Sequence, residues 1–249
     1  SAQYKDAVLR GRPVTTAPCV VFCTEDDLLE KKTAFGSVRL WKITHREQFE
    51  RAVQALAYRC EPREIPRAVG AQYIGGLANW ERIRKHKCSY LASGGTDWNA
   101  EFRRYTQNKE NYTDSLILLS TGYYSGLSPE EVGLPPEIWK EASGEIRKYH
   151  ELTHFIYRKC YPGDIQVIRD EVLADCVGLC AAFDRYDASL ARKLLGLDDG
   201  TLRPDARLRH YVPEDALPQA MNEAALWING LEKLLSRVPD LSKRQRESL

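Results

Sequence analysis

The run His150-Glu151-Leu152-Thr153-His154 sets two imidazoles four residues apart. On a helix that spacing puts both on one face, so both can reach a single ion. Glu151, beside the first ligand, can hold the ion's water and take its proton. A second pair at the same spacing, Glu171 and Asp175, follows across the turn Tyr161-Pro162-Gly163-Asp164. That turn stops one helix and offers Asp164 as the cap of the next, which predicts an antiparallel hairpin. His154 lies seven residues before Tyr161 and Glu171 seven after Asp164. At a rise of about 1.5 Å per residue, each stands about 10 Å from the bend, so Glu171 is at the level of a third ligand. His150 and Asp175 are each eleven residues from the turn. Asp175 is therefore expected to accept from the outer N–H of His150 and fix its tautomer. Three protein ligands leave a fourth position for water, and the expected cofactor is Zn²⁺.

The pattern resembles the gluzincin zinc metallopeptidases, in which H-E-x-x-H is followed across a turn by E-x-x-x-D. The form Glu171-x-x-Ala174-Asp175 is most similar to the E-x-x-A-D variant of CAAX-type and heat-shock metalloproteases. Those relatives are membrane-embedded, whereas apolar runs here, such as Leu116 to Leu119, fall far short of a membrane span, so the resemblance is confined to roughly residues 145 to 180. It implies a hydrolase acting on a peptide or protein substrate, with water activated by Glu151 attacking the peptide carbonyl. It also implies a His or Tyr from outside the hairpin to stabilise the oxyanion; His210 and Tyr211 are the first candidates, then Tyr123 and Tyr124. A strand edge ahead of the hairpin should hold the substrate backbone, and Ser115 to Thr121 is the candidate. Tyr157, one turn beyond His154, is expected to line the site. His45 and His86 read as ordinary polar residues.

The elements that must position this site predict an α+β class: a small mixed sheet in the N-terminal half, then a mostly helical half carrying the hairpin. Strands are expected at 17–23, 37–43 and 115–121, and a charged helix at 25–33. Thr44 with Glu47 has the form of a capping box, opening a helix whose stripe is Phe49, Ala52, Val53, Leu56 and Ala57. Gly75-Gly76 punctuates the chain before a basic helix around Trp80 to Lys87, and Asp97 can cap another. Ser128-Pro129-Glu130-Glu131 is a helix start, and later helices are expected at 145–158, 165–183, 188–195 and 213–237. No linker is evident, so 1–249 reads as one composite domain, with an α/β lobe to about 125 and a helical lobe from 126.

The formal net charge of +1 gives no support to a nucleic-acid partner. Arg82, Arg84, Lys85, His86 and Lys87 read better as a solvated helix face than as a phosphate site. Seven scattered cysteines argue against a secreted disulfide framework and for a reducing cytoplasm. Cys176 and Cys180, like Cys19 and Cys23, read as small buried residues. No membrane partner is expected. Two alternatives to a peptidase stay open: a metal-binding regulatory module with little or no hydrolytic activity, and a zinc hydrolase of a non-peptide amide.

Overall fold

The structure is a computed structural model; it describes residues 23–237 apart from 62 and 199. The strand expected at 17–23 lies, save for Cys23, outside the described residues. The class is α+β. A four-stranded mixed sheet occupies the N-terminal half, and a mostly helical half follows.

The sheet holds β1 (Asp27–Thr33), β2 (Gly36–Ile43), β3 (Ala71–Ala78) and β4 (Thr113–Ser120) in the order β1-β2-β4-β3. β1 and β2 form an antiparallel hairpin, β2 and β4 run parallel, and β3 is antiparallel to β4. Segment 25–33 is thus mostly strand, not the expected helix. Its Leu-Leu-Glu-Lys-Lys composition favours a helix only weakly, and the pairing of Asp27–Thr33 with β2 overrides it. Lysines on this exposed edge also discourage pairing with other chains. β3 was masked in the sequence by Gly75-Gly76, which the fold uses as an irregularity in the β3–β4 register between Ile74 and Leu77.

Alternation along β2 sorts side chains onto two faces. Val38 and Leu40, with Ile117 and Leu119 of β4, pack on Leu152 and Phe155 of the long helix described below. Trp41 and Ile43, with Leu118 and Ile74, pack on Phe49, Ala52 and Val53 of α1 (Arg46–Leu56). Burying each such large apolar side chain is worth about 1.5–3 kcal/mol. His45, not Thr44, precedes α1 and makes no capping bond; the Thr44 hydroxyl instead donates to the Glu25 carbonyl. Two helices, α2 (Trp80–Ala92) and α3 (Trp98–Thr106), with Asp97 capping the second, form an excursion between β3 and β4.

The helical half begins with α4 (Pro129–Val132), where Ser128 and Glu131 complete a capping box. Next come α5 (Pro136–Cys160), α6 (Val167–Phe183) and α7 (Ala188–Leu195), then a short hairpin of β5 (Leu197–Asp198) and β6 (Thr201–Leu202), and finally α8 (Leu217–Leu235). α5 extends farther toward the N-terminus than 145–158 because Pro136 suits the first turn and the Trp139 indole is buried, donating to the Leu127 carbonyl at 2.8 Å. Trp139, Ile146, Leu179, Leu194, Leu195, Ala224 and Ile228 belong to one helical core. α5 and α6 cross closely at Gly178, where a Cβ would meet the Ile146 carbonyl oxygen at 2.8 Å. Only glycine permits that approach.

Candidate metal centre

α5 buries Trp139, Ala142, Ser143, Ile146, Arg147, His150, Glu151, Leu152 and Phe155, one continuous helical stripe. His150 and Glu151 therefore occupy positions that packing alone would fill with apolar residues. The turn to α6 is held by Tyr157, which donates to Asp164 at 2.7 Å, and by Arg169, paired with Asp164 and Asp170. Asp164 thus braces the turn and does not cap α6, whose first flanking residue is Gln166 with no capping side chain. Tyr157 is spent on this brace and does not line the pocket below.

The hairpin brings His150, His154 and Glu171 together. The two Nε2 atoms are 3.1 Å apart, His150 Nε2 is 3.4 Å from Glu171 Oε2, and His154 Nε2 is 3.3 Å from Glu171 Oε1. Ligands about 2.0–2.1 Å from one tetrahedral zinc stand about 3.3–3.4 Å from each other, so this donor set fits zinc in both chemistry and spacing. These three side chains are 7%, 12% and 15% exposed, so bulk water does little to screen them. Burial alone would depress the His150 pKa, but bonds from Asp175 and Glu171 outweigh it and raise it to about 10. Burial alone would raise that of Glu171, but bonds to the two imidazoles hold it well below the usual carboxylate range. Imidazole and carboxylate thus each favour the charged form of the other.

Behind it lies a second set of groups. Asp175 Oδ1 accepts from His150 Nδ1 at 2.9 Å and from the Tyr124 hydroxyl at 2.7 Å, which leaves His150 Nε2 facing the other ligands. Asp175 Oδ2 accepts from Arg207, which also donates to the Ser125 hydroxyl at 3.1 Å. Burial works to raise the Asp175 pKa, yet the charge of Arg207 and the His150 bond keep it low. Ser125 sits at φ 53°, a left-handed conformation costing about 1–3 kcal/mol in a non-glycine residue, and the Tyr124 amide beside it is pinned by Ser143 Oγ at 2.9 Å. The Tyr124 ring lies between two guanidinium groups, 5.1 Å from that of Arg207 and 5.7 Å from that of Arg147. Burial lowers the pKa of Arg147 to about 10, and its Nε has no hydrogen-bond partner among the described residues. It packs against Gly70, where a Cβ would meet that Nε at 2.5 Å.

A cavity of about 180 Å³ opens over the cluster. Among its lining residues are Glu151, His210, Tyr211 and the stretch Ala68 to Tyr73. Glu151 is 7% exposed and faces this space beside His150, His154 and Glu171. His210 is exposed, and Tyr211 is half-buried with its ring 5.9 Å from the Arg207 guanidinium. Burial pushes the Tyr211 phenol well up, so it stays a hydrogen-bond donor. The Tyr124 hydroxyl is committed to Asp175, and Tyr123 does not line the cavity. The expected substrate edge is corrected: Ser115 to Thr121 is mostly β4, an interior strand between β2 and β3. Among the described residues β3 is the edge strand on this side of the sheet, and its start lines the cavity.

Sequence reasoning missed Arg207, because no spacing rule ties it to Asp175, 32 residues earlier. Its neighbour Leu208 is fully buried in the helical core, so one short turn, Arg207–His210, delivers Arg207 to Asp175 and His210 to the cavity. A second grouping, Cys23, Glu25 and His45, also brings donor atoms within 4.8 Å of each other, but Glu25 and His45 are exposed. The basic residues of α2 are occupied: Arg82 by Asp114, Arg84 and Lys85 by Glu81, His86 by Glu101 and Lys87 by the Trp98 ring. Cys176 and Cys180 are both buried.

Fold and site together define an α+β protein with a buried His-His-Glu cluster on a helical hairpin. The chain belongs to a family described as being of unknown function, DUF7005, whose model matches residues 1–238. No curated protein and no solved structure matches it.

Proposed function

We propose that this chain is a zinc-dependent hydrolase of the gluzincin kind, a metallopeptidase with His150, His154 and Glu171 as ligands and Glu151 as general base. The observation that carries the reading is the 3.1–3.4 Å spacing of three donor atoms on two helices, with a carboxylate beside them that no ligand role requires. Zinc held there supplies a Lewis acid that polarises a carbonyl and eases ionisation of water. Glu151 accepts a proton from the attacking water as its oxygen bonds to the carbonyl carbon, then passes that proton to the amine nitrogen as the C–N bond breaks. The products are a carboxylate and an amine. Tyr211 and His210, across the cavity, are the donors available to the carbonyl oxygen as it gains charge.

An extended peptide is the substrate that the surroundings favour. The Gly70 carbonyl accepts from the Ser120 amide at 2.8 Å, so in the alternating ladder Gly70 and Gln72 bond to β4. Ala71 and Tyr73 then turn their N–H and C=O groups to the open side, along the cavity wall. That edge distinguishes the peptidase reading from a hydrolase of small amides. A cytoplasmic setting remains part of the proposal, supported by the scattered cysteines; among the described residues no helix is long and apolar enough to cross a membrane.

The test is a pair of variants assayed on a mixture of peptides by mass spectrometry. Glu151→Gln should keep zinc and lose about a thousandfold in turnover, whereas His154→Ala should lose the metal itself. Hydrolysis undiminished in Glu151→Gln contradicts the assignment of the base.

A further inference from the structure

Two cationic side chains, Arg158 and Arg207, line the cavity, and they differ in one respect. Arg207 is paired with Asp175. Arg158 lines the cavity, is exposed, and has no carboxylate partner among the described residues. It is nonetheless held in place. Its guanidinium stacks 5.0 Å from the centre of the Tyr73 ring, which packs edge-on against Phe155 at 6.0 Å and reaches Ser115 Oγ with its hydroxyl at 3.3 Å. Tyr73 is also the residue whose backbone faces the open edge, with its carbonyl within 3.1 Å of the Gln72 side-chain amide. A chain pairing with that edge must therefore pass the guanidinium.

Resting on the peptidase reading, we infer that Arg158 is a specificity-determining residue that selects a carboxylate on the bound chain. Gly70 packs by Arg147, one turn before the first histidine, while Tyr73 packs by Phe155 and Arg158, beyond the second. β3 and α5 therefore run side by side, and Arg158 stands one turn, about 6 Å, past His154. An extended chain covers that distance in about two residues. The favoured substrate carries Asp or Glu at one fixed position about two residues from the bond that is cut. A free terminal carboxylate offers the same chemistry, and comparison of free with amidated C-termini separates the two sources. A planar guanidinium held over an aromatic ring keeps its N–H donors available to a carboxylate, whose two oxygens match that fork better than an amide side chain does.

The experiment compares kcat/KM of the zinc-loaded protein on matched peptides that differ only by Glu, Gln or Lys at each position. A preference of about fivefold for Glu over Gln is expected at one position, the upper range for an exposed ion pair. In Arg158→Ala that ratio should fall to about one, and in Arg158→Glu it should invert in favour of Lys. An acidic preference that survives Arg158→Ala, or none in the native protein, overturns the inference. If no peptide is cut at all, the peptidase reading fails separately. Calorimetric binding of the Glu and Gln peptides to the zinc-loaded protein then decides: a Glu preference that Arg158→Ala abolishes supports the selection, and equal or absent binding overturns it.

Discussion

Two regions of the molecule join histidine to carboxylate on a pair of helices, and they do opposite things with the pairing. In the α2–α3 excursion His86 bonds to Glu101 at 2.7 Å and stacks on Tyr105 at 3.9 Å, while Arg104 takes both oxygens of the same Glu101. His86, Glu101 and Arg104 are thus joined to one another, and the result is a fastened surface unit. In the α5–α6 hairpin His150, His154 and Glu171 point their donor atoms at one another, and Asp175 supports His150 from behind. Histidine near carboxylate is thus no signal in itself. What sets the hairpin apart is donor atoms converging at ligand spacing while buried Asp175, itself held by Tyr124 and Arg207, supports His150 from the far side.

The sharpest way to break the comparison is to remove one converging donor from each region. His154→Ala should abolish zinc binding and hydrolysis, read by elemental analysis and peptide assay. The matching change His86→Ala should leave both untouched, with a stability loss of about 0.5–1.5 kcal/mol in a denaturant titration.

The next largest effect falls on the support behind the ligands. Asp175→Asn leaves Arg207 buried without its counter-charge, and such broken pairs cost about 3–5 kcal/mol. It should also weaken zinc affinity about 10- to 100-fold, because His150 exchanges a charged acceptor for a neutral amide oxygen. A competition titration with a chelator of known affinity checks the second effect, and thermal unfolding the first. Tyr211→Phe should lower kcat about a hundredfold with zinc content unchanged, if the phenol stabilises the oxyanion. An unchanged kcat would shift that role to His210.

The same contrast explains how far the sequence could be read. The convergence of His150, His154 and Glu171 was legible because helical geometry alone relates residues four apart and residues equidistant from a turn. His150 and Asp175 fell into register by that arithmetic, and the structure places them 2.9 Å apart. The general α+β layout was legible from periodicity, and the helix expected at 188–195 is α7, Ala188–Leu195. Long-range pairing was not. β1 carries helix-forming residues and is a strand only because β2 lies beside it. β3 hides two glycines, so the substrate edge was assigned to β4, whose apolar run in fact reflects burial between neighbours. Arg207 and the inward role of Tyr124 depend on tertiary packing across the helical half, for which the chain has no local code.

The most direct measurement is the metal content of the purified full chain, loaded with zinc, freed of unbound metal and analysed by elemental mass spectrometry beside its His154→Ala variant. The account predicts about one zinc per native chain, removable by chelation, and essentially none in the variant. A native protein that retains no transition metal, or a variant that retains as much, would contradict it.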